Sequence, residues 1–255
     1  MIDAASAREL AQRLDEALCD RREIEPLTRS APLSLDDAYA VQRVGLGLRL
    51  LRGERAVGFK MGLTSAAKRQ QMDLHQPIYG VLTDAMRVEG ELRAAEGIHP
   101  KVEPEIAFIT AAELRGRATR EEALGACGAV CTALEVLDSR FAGFKYFSLP
   151  DVVADNCSSW KFALGERCAP VDVGDLVMRI FFDGKLAREA LSSAISGHPL
   201  DSLIQLAAML DAHGEALPAG SIVLAGAATA AEPLRPGMEV RLEVPGLASV
   251  ALRVT

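Results

Sequence analysis

Residues 99–108, HPKVEPEIAF, constrain the fold more than any other stretch of the chain. Polar and apolar residues alternate from Lys101 to Ile106, and a period of two is the signature of an extended strand. Alternation puts Val102, Pro104, Ile106 and Phe108 on one face and Glu103 with Glu105 on the other. At roughly 3.3 Å of rise per residue, the two carboxylates start from Cα atoms about 7 Å apart. Two anions so placed need water, protons or a cation to relieve their repulsion; the plainer alternative is a solvated strand face with ordinary acidic residues. A second run, CTALEVLDS, reads as another strand and carries one charge, Glu135, among apolar residues. An ionised carboxylate in such surroundings requires a partner. Two arrangements provide one: an ion pair with a basic side chain, or convergence with Glu103 and Glu105. The second makes an all-oxygen site suited to a hard cation such as Mg²⁺ or to Mn²⁺.

Other segments carry candidate chemistry. In VGFKMGLTS, read as a strand entering a turn, Lys60 shares its face with Gly58 and Gly62. Glycines on both sides leave room for a ligand beside the ammonium group. The plainer alternative is a surface lysine on a glycine-weakened strand. In DVVADNCSSW, Asp155, Asn156, Ser158 and Ser159 form a polar cluster with the chemistry of a turn. In LAGAATAAEP, small residues follow a buried strand, which is how backbone amides are exposed to an anion. Of the 4 histidines, His75, His99 and His198 lie one or two residues before a proline, as loop residues do. No glycine-rich phosphate loop, Ser-His-Asp order or HExxH motif is present.

The periodicity predicts helices over the first fifty residues, with Leu10, Leu14 and Leu18 in one stripe. Ser34 and Asp37 form a capping box before a helix bearing Ala38, Val41 and Leu48. TREEALGACGAV reads as a further helix. From about residue 158 the texture is β, with hairpins at Asp183-Gly184 and Pro245-Gly246. HPLDSLIQLAAMLDAHG is a helix ended by Gly214, with Leu203, Leu206 and Leu210 buried, and GSIVLAG is a short buried strand. The expected class is α+β: a helical portion at 1–55 and a β-rich body at 56–255, read as a single domain with no flexible linker.

Composition narrows the function. The net charge of −7, from 35 acidic and 28 basic residues, argues against a nucleic-acid footprint. No apolar run reaches the roughly 18 residues of a membrane span. The N-terminus lacks a signal peptide's basic start and apolar run. The 5 cysteines (19, 127, 131, 157 and 168) are odd in number and form no CxxC pair, which fits free thiols in a reducing, cytoplasmic setting.

Taken together, VGFKMGLTSAAKRQQM, QPIYGVL, HPKVEPEIAF, LEVLDSRF, DVVADNCSS, SGHPL and AGAATA occur in the order of the 2-hydroxypenta-2,4-dienoate hydratase and 4-oxalocrotonate decarboxylase family. The chain resembles that family, a relative of the fumarylacetoacetate hydrolases, over nearly its whole length. The resemblance implies a mixed β-roll with an N-terminal helical portion. It implies a Mg²⁺ or Mn²⁺ site at Glu103, Glu105 and Glu135, with catalytic roles for Lys60 and Asp155. It also implies substrate contacts at Thr64, Ser65, Tyr79, Ser158, Gly226 and Thr229, although Ala225-Gly226-Ala227 stands where TGG is common. Two activities share the family. QPIYG places Ile78 where the hydratases read QPDFG, and isoleucine neither orients water nor moves protons. LEVLDSRF, FKYF and HPK also resemble the decarboxylase branch. The resemblance therefore implies decarboxylation of a keto-diacid, with hydration of the dienol as the alternative. A non-catalytic subunit that only partners a hydratase fits the retained lysine and acids less well. A homo-oligomer and a complex with the hydratase are further implications of the family.

Overall fold

The computed structural model describes residues 2–65, 77–145 and 148–255. His75, most of the stretch SAAKRQQM, and Tyr146 and Phe147 of FKYF lie outside the described residues.

Two long helices open the chain: α1 (Ala4–Asp20) and α2 (Leu35–Leu51). Asp3 caps α1 through Ser6 N–H, and the stripe of small and aliphatic residues Ala7, Ala11, Leu14 and Ala17 is buried. Ser34 and Asp37 form the expected capping box on α2, each side chain accepting from the other's backbone N–H. Ser34→Ala removes one of these bonds. It should cost about 1 kcal/mol, lowering the melting temperature by roughly 2–4 °C for a chain of this size. Calorimetry checks this, with turnover unchanged.

Twelve strands follow among the described residues. They are β1 (Ala56–Gly62), β2 (Ile78–Thr83), β3 (Glu91–Leu92), β4 (Lys101–Thr110), β5 (Cys127–Leu137), β6 (Ser159–Leu164), β7 (Val177–Phe182), β8 (Lys185–Leu191), β9 (Ile222–Ala227), β10 (Glu232–Pro233), β11 (Glu239–Glu243) and β12 (Val250–Val254). Three further helices are α3 (Arg120–Gly125), α4 (Leu149–Ala154) and α5 (Pro199–Asp211). TREEALGACGAV is helical only in its first half, because β5 already begins at Cys127. The two expected hairpins form as β7–β8 and β11–β12. Asp183 and Gly184 both have positive φ (49° and 75°), as a two-residue hairpin turn requires.

The strands make two mixed sheets. The larger runs β2-β1-β9-β4-β5-β6, with β10 on β4, and the smaller runs β3-β12-β11-β7-β8. The larger sheet rolls until the segment just after edge strand β2 reaches β6: Val88 N–H donates to Phe162 O at 2.9 Å, and Lys161 Nζ donates to Ala85 O at 3.0 Å. Rolling gives it an inside and an outside. The outside, with Met61, Tyr79, Val102, Ile106, Phe108, Val130, Leu134, Val136 and Val223, packs in the main core with α1, α2, α5 and the smaller sheet. Inside, Leu82, Ala107, Ile109, Ala129, Cys131, Phe162, Ile222 and Leu224 form a small apolar plug. Glu103, Glu105, Glu135 and Lys60 occupy the same strand faces as this plug, by two-residue alternation along β4, β5 and β1. The acids therefore face the interior of the roll, where Glu105 and Glu135 are shut off from solvent.

Candidate active site

The antiparallel register of β4 and β5 sets Glu103 directly opposite Glu135, with Glu105 opposite Ala133. Like charges in facing positions are destabilising, and here the repulsion is not spread into water. Glu105 and Glu135 are fully buried and Glu103 is half-buried. One carboxylate oxygen from each lies within 4.8 Å of the other two.

Glu105 and Glu135 are each aimed by a neighbour. The backbone N–H of Gly226 donates to Glu105 Oε2 at 2.7 Å. Gly226 has φ 109°, and a Cβ there would lie 2.5 Å from the Thr64 side chain, so only glycine fits this approach. Ser159 Oγ donates to Glu135 Oε1 at 3.1 Å, while Lys60 Nζ lies 3.1 Å from Glu135 Oε2. Glu105 Oε1 is buried with no hydrogen-bond partner among the described residues. A buried anionic oxygen left in this way is costly.

Lys60 is 3 % exposed and also donates to the Cys157 carbonyl at 3.2 Å. Burial would lower its pKa, but Glu135, and then Cys157, Glu103 and Glu105, raise it above the usual lysine value. Glu105 moves the opposite way to an ordinary acid: burial and then Glu135 raise its pKa well above normal, against the pull of Lys60. Burial and the Glu135 carboxylate both favour the protonated form of Glu105, and three carboxylates share this site with one lysine. Three carboxylate ligands, an orphaned oxygen and an all-oxygen donor set fit a hard divalent cation.

The glycines flanking Lys60 do not open space for a ligand. A Cβ at Gly58 would sit 1.8 Å from Ile222 O, and one at Gly62 would sit 3.1 Å from the Ile78 side chain. These glycines admit β9 and β2 instead. Gly80, the partner of Lys60 across the β1–β2 ladder, likewise admits a neighbouring backbone: a Cβ there would sit 2.6 Å from Asn156 O.

Other expected residues fall differently. Tyr79 pairs with Met61, on the face opposite Lys60, and its ring stacks on Tyr39 (centroids 4.9 Å) and meets Phe59 edge-on at 6.0 Å. It is a core side chain, because one residue of register decides the face. Asp155 closes α4 with its carboxylate fully buried against the Arg140 guanidinium, and it also accepts from Arg140 N–H at 3.2 Å. Burial, opposed by Arg140, pushes its carboxyl up to about 6. The structure makes it an ion-pair partner and does not add it to the carboxylate cluster. Ser158 is buried beside Ser159. Thr64 is buried and lies against Gly226, with half-buried Ser65 next in the chain. Thr229 is half-buried beyond β9, where its hydroxyl donates to Ala230 O at 3.3 Å.

The sequence reading grouped Asn156 and Ser159 with a turn and gave them no role. Ser159 holds Glu135. Asn156, Cys157 and Ser158 have φ of 49°, 53° and 59°, a run of non-glycine residues in the left-handed region. Each costs about 1–2 kcal/mol, less for asparagine, so the surrounding bonds must hold them. Burial pushes the Cys157 thiol up to about 12, and as an intact thiol it donates to Tyr79 O at 3.2 Å.

The family description "Fumarylacetoacetate (FAA) hydrolase C-terminal" matches residues 54–255, and the chain belongs to that family. A 4-oxalocrotonate decarboxylase from Pseudomonas sp. is 46% identical over 249 residues, spanning 96% of this chain and 97% of that protein. A 2-hydroxyhexa-2,4-dienoate hydratase from Comamonas testosteroni is 35% identical over 253 residues, spanning 96% of each chain. The solved structure of the 4-oxalocrotonate decarboxylase from Pseudomonas putida G7, complexed with magnesium and adipate, superposes with a TM-score of 0.96. It is 35% identical and covers 100% of this chain and 99% of its own.

Proposed function

We propose that this protein is a divalent-metal-dependent lyase that decarboxylates 4-oxalocrotonate (2-oxohex-3-enedioate) to 2-hydroxypenta-2,4-dienoate and CO₂, in the breakdown of aromatic compounds by meta-cleavage. The observation that carries the reading is the buried convergence of Glu103, Glu105 and Glu135 beside Lys60, in a chain closely similar to decarboxylases of that name.

The substrate is a vinylogous β-keto acid. Breaking its C5–C6 bond releases CO₂; that electron pair forms C4=C5, the C3=C4 pair shifts to C2=C3, and the C2=O pair moves onto the 2-oxo oxygen. Glu103, Glu105 and Glu135 would hold Mg²⁺ or Mn²⁺, which when bound supplies Lewis acidity and orientation for the keto-acid end of the substrate. Lys60 places a positive charge and a donor beside the same cluster, where the dienolate oxygen gains charge and then a proton. Gly226 and Ser159 keep Glu105 and Glu135 in place. Asp155 acts through Arg140 to anchor the turn behind Lys60, and Thr64, Ser65, Ser158 and Thr229 are the polar side chains of this reading that would meet substrate. Ile78 lies opposite Gly62, on the strand face of Gly80 and Lys60. An apolar side chain there supports decarboxylation over hydration, because it cannot orient water.

Among the described residues no helix is long and apolar enough to cross a membrane. The reading extends to a cytoplasmic enzyme that self-associates and partners the hydratase consuming its dienol product. The deciding assay offers two substrates in turn. The expected result is CO₂ from 4-oxalocrotonate, abolished by chelation and restored by Mg²⁺, with little 4-hydroxy-2-oxopentanoate from the dienol. Hydration faster than decarboxylation would reverse the assignment.

A further inference from the structure

We infer that Asn156 is a positioning residue for Lys60: its side chain clasps β2 and so holds the left-handed turn that presents the Cys157 carbonyl to the lysine ammonium. The inference rests on the role of Lys60 given above.

Strand β2 is an edge strand, and an edge residue leaves backbone groups that need partners. Asn156 supplies both partners for Val81. Its Oδ1 accepts from Val81 N–H at 2.8 Å, and its Nδ2 donates to Val81 O at 2.9 Å. Only an uncharged side chain with a donor and an acceptor can do this, so asparagine is chemically matched to the place. The clasp brings Asn156 O so near Gly80 that a Cβ there would be 2.6 Å away. Gly80 is the ladder partner of Lys60, so the clasp closes directly beside the lysine.

Further bonds tie the turn at its other corners. Ser158 N–H donates to Asp155 O at 2.9 Å, and Asp138 N–H donates to Ser158 O at 2.8 Å. The buried amide of Gln42, on α2, donates to Tyr79 O at 3.1 Å and Val153 O at 3.0 Å, bracing β2 against α4 from behind. Neither Cys157 nor Ser158 favours positive φ. Without the clasp, the chain is free to leave that region, and the Cys157 carbonyl leaves Lys60 with it.

Asn156→Gly is the informative variant, since glycine keeps the left-handed backbone without strain while losing the side chain. The expected result is a kcat lower by up to about a hundredfold, the scale of an ångström-level misplacement, with KM within about twofold and Mg²⁺ affinity unchanged. In the protein without substrate, carbamylation of Lys60 by cyanate, mapped by mass spectrometry, should run at least about tenfold faster as the turn opens. Adding Asn156→Gly to Lys60→Met should lower kcat no further, because both changes act on one group. A wild-type labelling rate and kcat in Asn156→Gly overturn the inference, as do losses that multiply in the double variant. A wild-type protein that releases no CO₂ sinks the functional reading instead, and Lys60 labelling then decides the clasp alone.

Discussion

Glu105→Gln is expected to lower kcat by about a hundred- to a thousandfold. The comparison is with a single lost donor to a developing oxyanion, which costs roughly 3–4 kcal/mol, at 1.36 kcal/mol per tenfold in rate. Losing a cation should cost at least as much. The fold should survive, because a glutamine carbonyl can still accept from the Gly226 amide. Removing one anion from a cluster that already pushes Glu105 toward its protonated form even relieves repulsion. The unloaded variant should therefore melt no lower than the wild type. What it should lose is the stabilisation Mg²⁺ gives the wild type, about 2.7 kcal/mol at a hundredfold excess over Kd. Thermal melts with and without Mg²⁺ separate these effects. A variant that keeps both the Mg²⁺-dependent shift and its turnover would exclude Glu105 as a ligand.

Lys60→Met is the second large effect. Methionine roughly fills the space of the lysine stem but leaves Glu135 buried without its cation. Breaking a buried ion pair on one side costs about 3–5 kcal/mol, so the unloaded variant should melt well below the wild type. A divalent cation on the same carboxylates should restore much of that loss. The kinetic signature is a fall in kcat of about a hundredfold or more with KM little changed, since the ammonium matters most where the oxyanion develops. Steady-state rates of CO₂ release at saturating Mg²⁺ measure it. An unchanged kcat would make Lys60 a structural counter-ion only.

Much of this site was legible because strands have a period of two. Glu103 and Glu105 had to share a face, and Glu135 had to find a partner, whatever the rest of the chain did. The open choice at Glu135 was between an ion pair and convergence with the other acids, and the structure contains both, with Lys60 and the acid cluster together. The capping box at Ser34 and the Asp183-Gly184 turn were equally readable, since each depends on residues a few positions apart. Helix length was less so: TREEALGACGAV keeps a helical pattern, but pairing of β5 with β4 claims its second half.

The amino-acid order by itself determined which residues alternate, which helices are capped, and that Glu103 and Glu105 share a face while Glu135 needs a partner. Tertiary structure alone decided the rest. Rolling of the larger sheet turned one face inward, and the β4–β5 register set Glu103 against Glu135 on it. The register of β2 on β1 put Tyr79 in the core and left Gly80 beside Lys60. Contacts between residues far apart in the chain gave Asp155 to Arg140 and Asn156 to Val81. Local pattern records which way a side chain points along its own strand, whereas its neighbour across space is set by register and curvature, which belong to the whole sheet.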